Sequence, residues 1–371
     1  MIKIIDWYII KKFLSTFFFA IFVFTVIAVV IDFGEKTDNF VDTGWGLVEI
    51  FTNYYSAFIP HIIALLFPLF VFIAVIFFTS KMATRSEIVA ILASGTSFQR
   101  FLLPYFITSL FLAVGLFFAS SYLVPRSEVK RAHFETNYVN STSGYHQMTE
   151  EDPNMYYKVD SFTYVGIRSY DTIAKKGGPI YLWEIRDAKA HYNMRAPNIF
   201  WDTAGAAKKK VAGTWKLDNV FERKIDSIQE KITIDSKKDF VFNFTPFDLR
   251  IDQYAEDVLT TPELKNHIRI ERQRGGENVN IFLMELYRRT ATPFSVIILT
   301  LIGAIVASRK VRGGNGMHLA MGFILAASYV VMDRFSTVFS TKGNLHPMLA
   351  AWIPNIIFIF VAIYLYRKAP K

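Results

Sequence analysis

The chain has 371 residues, of which 52% are hydrophobic and 16% aromatic, with 36 Phe. A soluble domain cannot hide that much apolar surface without aggregating. The formal net charge of +9 allows nucleic acid, an anionic membrane surface or loop topology as its cause; the basic residues lie directly beside apolar runs, which selects topology. Cysteine is absent, excluding a disulfide framework and a thiolate metal site.

In chain order, the first uncharged run is Phe13 to Ile31. About 20 apolar residues in a helix cross roughly 30 Å of hydrocarbon. The run lacks a small-residue cleavage site and is read as a retained span. The second run, Ile50 to Ser80, is longer than one crossing needs and contains Pro60 and Pro68, so a kink is expected near Pro60. Phe101 to Val124 is the third span. After a polar middle region come Thr290 to Ser308, Gly313 to Met332 and about Pro347 to Tyr366.

Basic residues on short loops set the direction of the spans. Lys3, Lys11 and Lys12 precede the first; Lys81, Arg85 and Arg100 separate the second and third. Arg309, Lys310 and Arg312 separate the fourth and fifth, and Arg367, Lys368 and Lys371 follow the sixth. The first alternate loop, Asp32 to Glu49, sets five carboxylates against one Lys36. Both termini are therefore expected in the cytoplasm and the central region on the far side. Three regions follow: 1–125 with spans one to three, 126–276 as the insert, and 277–371 with spans four to six.

Between spans two and three, Thr84 stands three residues before Glu87, the spacing of a capping box. Ile88, Ile91 and Leu92 follow at helical spacing and Gly95 supplies a stop. A short amphipathic helix is expected at about 85–94. It either rests on lipid or docks into a cytoplasmic motor through Glu87, and the residues alone leave both open.

The insert begins with a polar stretch, Arg126 to Thr149, that extends the third span. Its period then changes. Met155 to Arg168, Pro179 to Arg186, Ala190 to Asp202, Gly213 to Arg223, Ser227 to Ile234 and Phe240 to Phe244 are short runs rich in β-branched and aromatic residues. Turn residues punctuate them at Lys176-Gly177-Gly178-Pro179 and Asp202-Thr203-Ala204-Gly205. Alternation at Ile228, Ile232 and Ile234, and at Trp215 and Leu217, points to an all-β sandwich or open barrel. Such a domain serves either as plain support or as a groove for an amphiphile.

Chemistry-bearing motifs are missing. There is no phosphate-binding G-x-x-x-x-G-K-[ST] loop and no H-E-x-x-H pair. His61, inside an apolar span, reads as a hydrogen-bonded packing residue. Asp333 and Arg334 read as interfacial at the outer end of span five. No catalytic residue, metal site or cofactor is predicted.

Six segments together resemble the lipopolysaccharide-export permease family, LptF/LptG: Asp6-Trp7-Tyr8-Ile9, the Pro60 and Pro68 pair, RSEIVAILASG from Arg85 to Gly95, YRRTATPFSV from Tyr287 to Val296, RGGNG from Arg312 to Gly316, and LHPMLAAWIPN from Leu345 to Asn355. The resemblance covers essentially the whole chain. With Tyr329, Asp333 and Pro347 to Asn355, the closing half is somewhat more like the G subunit. The resemblance implies an α-helical polytopic inner-membrane protein of six transmembrane helices with an inserted periplasmic β-jellyroll-like domain. It implies a cytoplasmic ATP-binding-cassette ATPase dimer, a second six-helix permease, periplasmic bridge proteins of the LptC/LptA type and lipopolysaccharide as partners, with no nucleic acid. Glu87 becomes the ATPase-facing carboxylate, supported by Arg85 and the turn at Gly95. Lys36 is the one cation near the outer end of span one, where G members often carry several lysines for the acidic head group, and is the candidate cargo contact. The alternatives are a permease for another lipid or lipoprotein, and a non-transport scaffold for envelope assembly.

Overall fold

The computed structural model describes residues 3–139, 155–168, 170–171, 176–186, 189–202, 214–226, 229–242, 255–274, 279–309 and 315–369. The chain divides into two compact units. One comprises Met1–Asn140, Tyr254–Lys265 and Asn280–Lys371; the other comprises Ser141–Gln253 and Asn266–Val279.

Six helices in the first unit are long and apolar enough to cross a membrane: Ile4–Glu35, Leu47–Thr84, Phe98–Phe134, Val279–Ala307, Ala320–Thr341 and Pro347–Arg367. They are called spans one to six. Most outrun the expected segments, because helical hydrogen bonding continues past the last apolar residue wherever polar side chains find partners. Span five lies within a helix that runs Asn315–Thr341, so Asp333 sits two turns inside it. This corrects the expectation that Asp333 marks its end. Span four starts at Val279 and carries Glu285, Arg288 and Arg289 inside the helix.

Near Pro60, where a break or kink is expected, the helix is not broken. The α-helix Ser56–Thr84 runs through both Pro60 and Pro68. The irregularity is a π turn at Phe51–Tyr55, just before the carbonyl that Pro60 deprives of its donor. A second π turn, Ala119–Leu123, interrupts span three, and a third, Glu135–Val139, ends it.

Aromatic packing binds spans one, two and three. Phe13 stacks on Phe78 at 5.6 Å between ring centroids and Phe78 on Tyr105 at 5.5 Å. The buried Thr79 and Tyr105 hydroxyls satisfy each other at 3.0 Å. Spans four and six are tied at depth by Asn355, whose amide donates to the Ala291 carbonyl at 2.7 Å and accepts from Tyr329 of span five at 3.1 Å. In hydrocarbon an unmatched amide is costly, so its bonds fix the register of three helices.

The second unit is built on one nine-stranded antiparallel sheet: β1 (Met155–Lys158), β2 (Thr163–Ile167), β3 (Tyr170–Asp171), β4 (Lys176–Gly177), β5 (Ile180–Arg186), β6 (Lys189–Ala196), β7 (Asn198–Asp202), β8 (Thr214–Ile225) and β9 (Glu230–Phe240). The order is β1-β2-β5-β6-β8-β7-β4-β3, with β9 on β8. Runs that read as single strands divide where the backbone must turn. Asp160 accepts from the amides of Phe162 and Thr163, both at 2.9 Å, and breaks Met155–Arg168 into a hairpin. Pro197, with no N–H to give, breaks Ala190–Asp202 into β6 and β7. These two strands follow each other along β8. Val165, Ile167, Ile180, Leu182, Met194, Ile199, Trp215 and Leu217 form the core. Trp215 and Leu217 alternate inward as expected. Ile232 and Ile234 do not: they stand exposed on β9, which among the described residues pairs with β8 alone. Ile228, Thr203 to Gly205 and Phe244 lie outside the described residues.

Six membrane-length helices with an antiparallel β insert between the third and fourth match the fold expected from the sequence.

Candidate functional site

Polar side chains gather at both ends of the membrane unit. At 1.5 Å per residue, twenty residues of helix span about 30 Å, the thickness of the hydrocarbon core. Lys12 and Asp32 on span one, Lys81 and His61 on span two, and Arg309 just past span four and Arg289 within it are each twenty residues apart. Three helices thus carry a basic residue at one membrane boundary and an ionisable one at the other.

At the far boundary the charged groups are buried and joined in a chain. Lys36 pairs with Asp32 at 3.1 Å and with Glu135 at 2.5 Å, and donates to Tyr54. Tyr54 in turn donates to Asp32 at 3.1 Å. Arg131 lies 3.6 Å from Glu135 and donates to Glu128 at 2.6 Å. Glu128, whose side chain is fully buried, has its other oxygen 2.6 Å from Nδ1 of His61. His61, expected as a hydrogen-bonded packing residue, stands within ion-pair distance of Glu128, so the contact links spans two and three. Phe40, Tyr54, Tyr55 and Phe134 wrap this chain in aromatic rings, with Tyr54 and Phe134 at 4.6 Å.

A second group lies beside it. Arg289, only 3% exposed, donates to Glu285 at 2.9 Å, to the carbonyls of Leu259 at 2.8 Å and Glu256 at 3.0 Å, and to Thr261 at 3.3 Å. It thereby holds the segment Ala255–Thr261 against span four. Arg288 faces Asp333 of span five at 3.7 Å. Arg334, next in sequence, is exposed, as neighbouring positions on a helix require. A cavity of about 100 Å³ opens among His61, Glu128, Asp257, Glu285, Arg288 and Thr292. Its polar lining and size suit bound water. Among the described residues no group of three or more His, Asp or Glu side chains could hold a metal ion.

The opposite, basic boundary is sparser. A seven-residue helix, Glu87–Ala93, follows span two. It does not start on the expected capping box. Thr84 still belongs to span two and donates to the Ser80 carbonyl at 2.9 Å. The residue at the cap is Ser86, in the left-handed region at φ 60° and without a side-chain capping bond. The left-handed turn after the helix falls on Gly95, at φ 85°, where glycine avoids the steric cost. Glu87 is 26% exposed on its side chain; it accepts from the Tyr8 hydroxyl at 2.9 Å, with Lys12 at 3.6 Å and Arg85 at 3.9 Å. Lys12 donates to Tyr8 and lies 4.2 Å above its ring. Arg100 pairs with the buried Asp6, and Arg309 donates to the Lys368 carbonyl.

The structure therefore brings Glu87 and Arg85 together, places Gly95 at the turn that follows, and puts Lys36 in the other cluster with its ammonium taken by two carboxylates. Sequence reading missed Tyr8 and Lys12 as partners of Glu87, although their i, i+4 spacing puts them on one face of span one. It also missed Glu128, Glu135 and Arg289, for which no local motif exists.

Six membrane-length helices interrupted by an antiparallel β insert define a multi-pass membrane protein. The family model for the lipopolysaccharide export system permease LptF/LptG matches residues 7–368, and the chain belongs to that family. The match joins LptF and LptG under one description and does not separate the two subunits. Family membership gives it the role of an inner-membrane permease of lipopolysaccharide export. No curated protein matches the chain.

Proposed function

We propose that the chain is one permease of an ATP-driven exporter that draws lipopolysaccharide from the inner membrane and hands it to its own β insert, which lies between spans three and four, for passage to bridge proteins of the LptC/LptA type. Extraction is mechanical work: each buried CH₂ contributes about 0.8 kcal/mol to retention in the bilayer, so several acyl chains together need an energy source. The chain carries no phosphate-binding loop, and the source is a separate cytoplasmic ATPase dimer.

The observation that carries this reading is the short helix Glu87–Ala93, set between spans two and three at their basic boundary with a part-exposed carboxylate in its first turn. Glu87 is the group that meets the ATPase, Arg85 flanks it, and Gly95 supplies the turn that returns the chain to span three. The basic loops place this helix and both termini in the cytoplasm and the insert in the periplasm. A second six-helix permease completes the cavity. Lys36, engaged by Asp32 and Glu135, reaches a cargo head group only by exchanging those partners.

A mild-detergent pull-down of the tagged chain from its native membrane, with mass spectrometry of proteins and lipids, tests the reading. Recovery of a soluble ATPase, a second six-span permease and lipid A species supports it. Recovery of the chain alone, under conditions that preserve other transporters, favours a membrane scaffold. A different bound lipid changes the cargo and keeps the mechanism.

A further inference from the structure

The contacts of Glu87 reach beyond its own helix. Its carboxylate accepts from Tyr8, 79 positions earlier, and lies within ion-pair distance of Lys12. Tyr8 and Lys12 share one face of the first turns of span one and hold each other, through the Lys12–Tyr8 hydrogen bond and the ammonium stacked over the ring. The donors are thus preorganised before Glu87 meets them, which lowers the entropy lost on binding. The rest of the contact is thin. An open, mostly apolar groove lined by Ile4, Ile5, Tyr8, Glu87, Ala90 and Ile91 separates the end of span one from the short helix. In the middle of that groove no polar pair other than Tyr8 and Lys12 with Glu87 spans the gap among the described residues.

Both ends of this contact matter mechanically. The most apolar stretch of span one has the smallest buried share among the six spans. The basic end of span one packs through the buried Ile9 and Phe13 into the core of spans two and three, and among the described residues two polar ties hold it as well: Asp6 to Arg100 of span three, and Tyr8 with Lys12 to Glu87. The first is internal to the bundle. The second ends on a residue that is also exposed to solvent and positioned to accept an outside partner.

We infer that Tyr8 and Lys12 are positioning residues that latch span one to the short helix through Glu87, and that a basic side chain of the ATPase takes Glu87 from them, so that docking of the motor loosens the short helix from the Tyr8–Lys12 face of span one. This deepens the proposed function and rests on Glu87 being the ATPase-facing carboxylate. The chemistry is partner exchange on one carboxylate: a guanidinium or ammonium from outside displaces a phenol and an ammonium from inside. No bond is made or broken beyond hydrogen bonds. An arginine is the best competitor, because its planar fork engages both carboxylate oxygens at once.

The chain has no cysteine, so two substitutions, Lys11→Cys and Val89→Cys, both at exposed positions, give a nitroxide pair across the latch in the full-length protein. Pulsed dipolar EPR on the purified chain in lipid nanodiscs is expected to show one narrow distance. Tyr8→Phe combined with Lys12→Ala should lengthen and broaden it, and Lys12→Ala replaced by Lys12→Arg with Tyr8 retained should restore it. An unchanged distribution in the double variant overturns the latch. Adding the soluble ATPase recovered with the parent chain should produce the same broadening without any substitution; ATPase binding that leaves the distance narrow overturns the exchange.

Affinity for that ATPase separates this inference from the reading beneath it. The double variant releases Glu87 and should bind about fivefold more tightly, the factor set by losing one competing hydrogen bond of ordinary net strength. Glu87→Gln should bind more weakly than the parent. If Glu87→Gln binds as well as the parent, the ATPase-facing role fails, while the EPR comparison of the parent and double variant still decides the latch.

Discussion

The two polar ends of the membrane unit are built on opposite terms. At the far boundary, Glu128 is fully buried, with one oxygen bonded to Arg131 at 2.6 Å and the other 2.6 Å from His61. At the basic boundary, Glu87 keeps part of its side chain in solvent and its ion pairs are long, at 3.6 and 3.9 Å. A buried, short-bonded charge is expensive to strand and ties its helices together. An exposed, loosely paired one is inexpensive to re-partner. The first serves as a fastener and the second as a contact that can change hands.

Substitutions test that contrast, and Glu128→Ala should have the largest effect. It removes the nearest carboxylate of the buried Arg131 and the acid beside His61, at a cost of about 3 to 5 kcal/mol. Thermal unfolding in a fixed detergent measures it; a variant that melts with the parent would show that the far cluster is not a fastener. Arg289→Ala follows at roughly 3 kcal/mol, because the arginine satisfies four acceptors on two segments. Hydrogen exchange should rise first across Ala255–Thr261, and unchanged exchange there would mean that the segment is held by other contacts. Asn355→Ala should cost about 1 kcal/mol, since polar ties between membrane helices are modest; a double cycle with Tyr329→Phe isolates the shared bond.

The sheet offers a carboxylate of intermediate kind. Glu222 is buried, which alone would raise its pKa, yet the Lys238 ammonium at 2.6 Å and the Tyr192 hydroxyl at 2.7 Å hold it below its ordinary value of 4.5. A lowered carboxyl stabilises the fold fully above 4.5 and loses that contribution as pH falls through the lower folded value. Acid should therefore loosen the β8–β9 amides in hydrogen exchange, and Glu222→Gln should flatten that dependence. The smallest effect belongs to Tyr8→Phe, at most about 1 kcal/mol in stability. A much larger loss would place Glu87 among the fasteners and remove the contrast.

The frame was legible because its signal is local: an uncharged run of twenty residues is visible in any window, and so is the change to short runs of Tyr, Val and Ile after Met155. The strand breaks at Asp160 and Pro197 were visible residues whose effect depends on what lies beside them. The capping box was misread because T-x-x-E spacing says nothing about whether the preceding helix has ended. Here it had not, and Thr84 was still bonded to Ser80. Ile232 and Ile234 misled for a similar reason, since alternation marks a face without saying whether anything covers it. The far cluster was the least legible part. His61 and Glu128, or Lys36 and Glu135, are brought together only by the crossing of helices, and no spacing rule links them.

The π turns give this arrangement a further meaning. Each adds one residue to a helix, and one residue is about 100° of rotation. In span two the extra residue lies between the lipid-crossing stretch and Leu47–Ile50; in span three it lies between the crossing stretch and the turn bearing Glu128 and Arg131. The faces chosen for hydrocarbon and the faces chosen for the aromatic and ionic cluster are therefore phased separately along one continuous rod. Deleting a single residue from Phe51–Tyr55 would leave the crossing helix intact and turn Ile50 away from Phe40. One extra residue in each π turn thus lets two differently phased surfaces share one continuous helix.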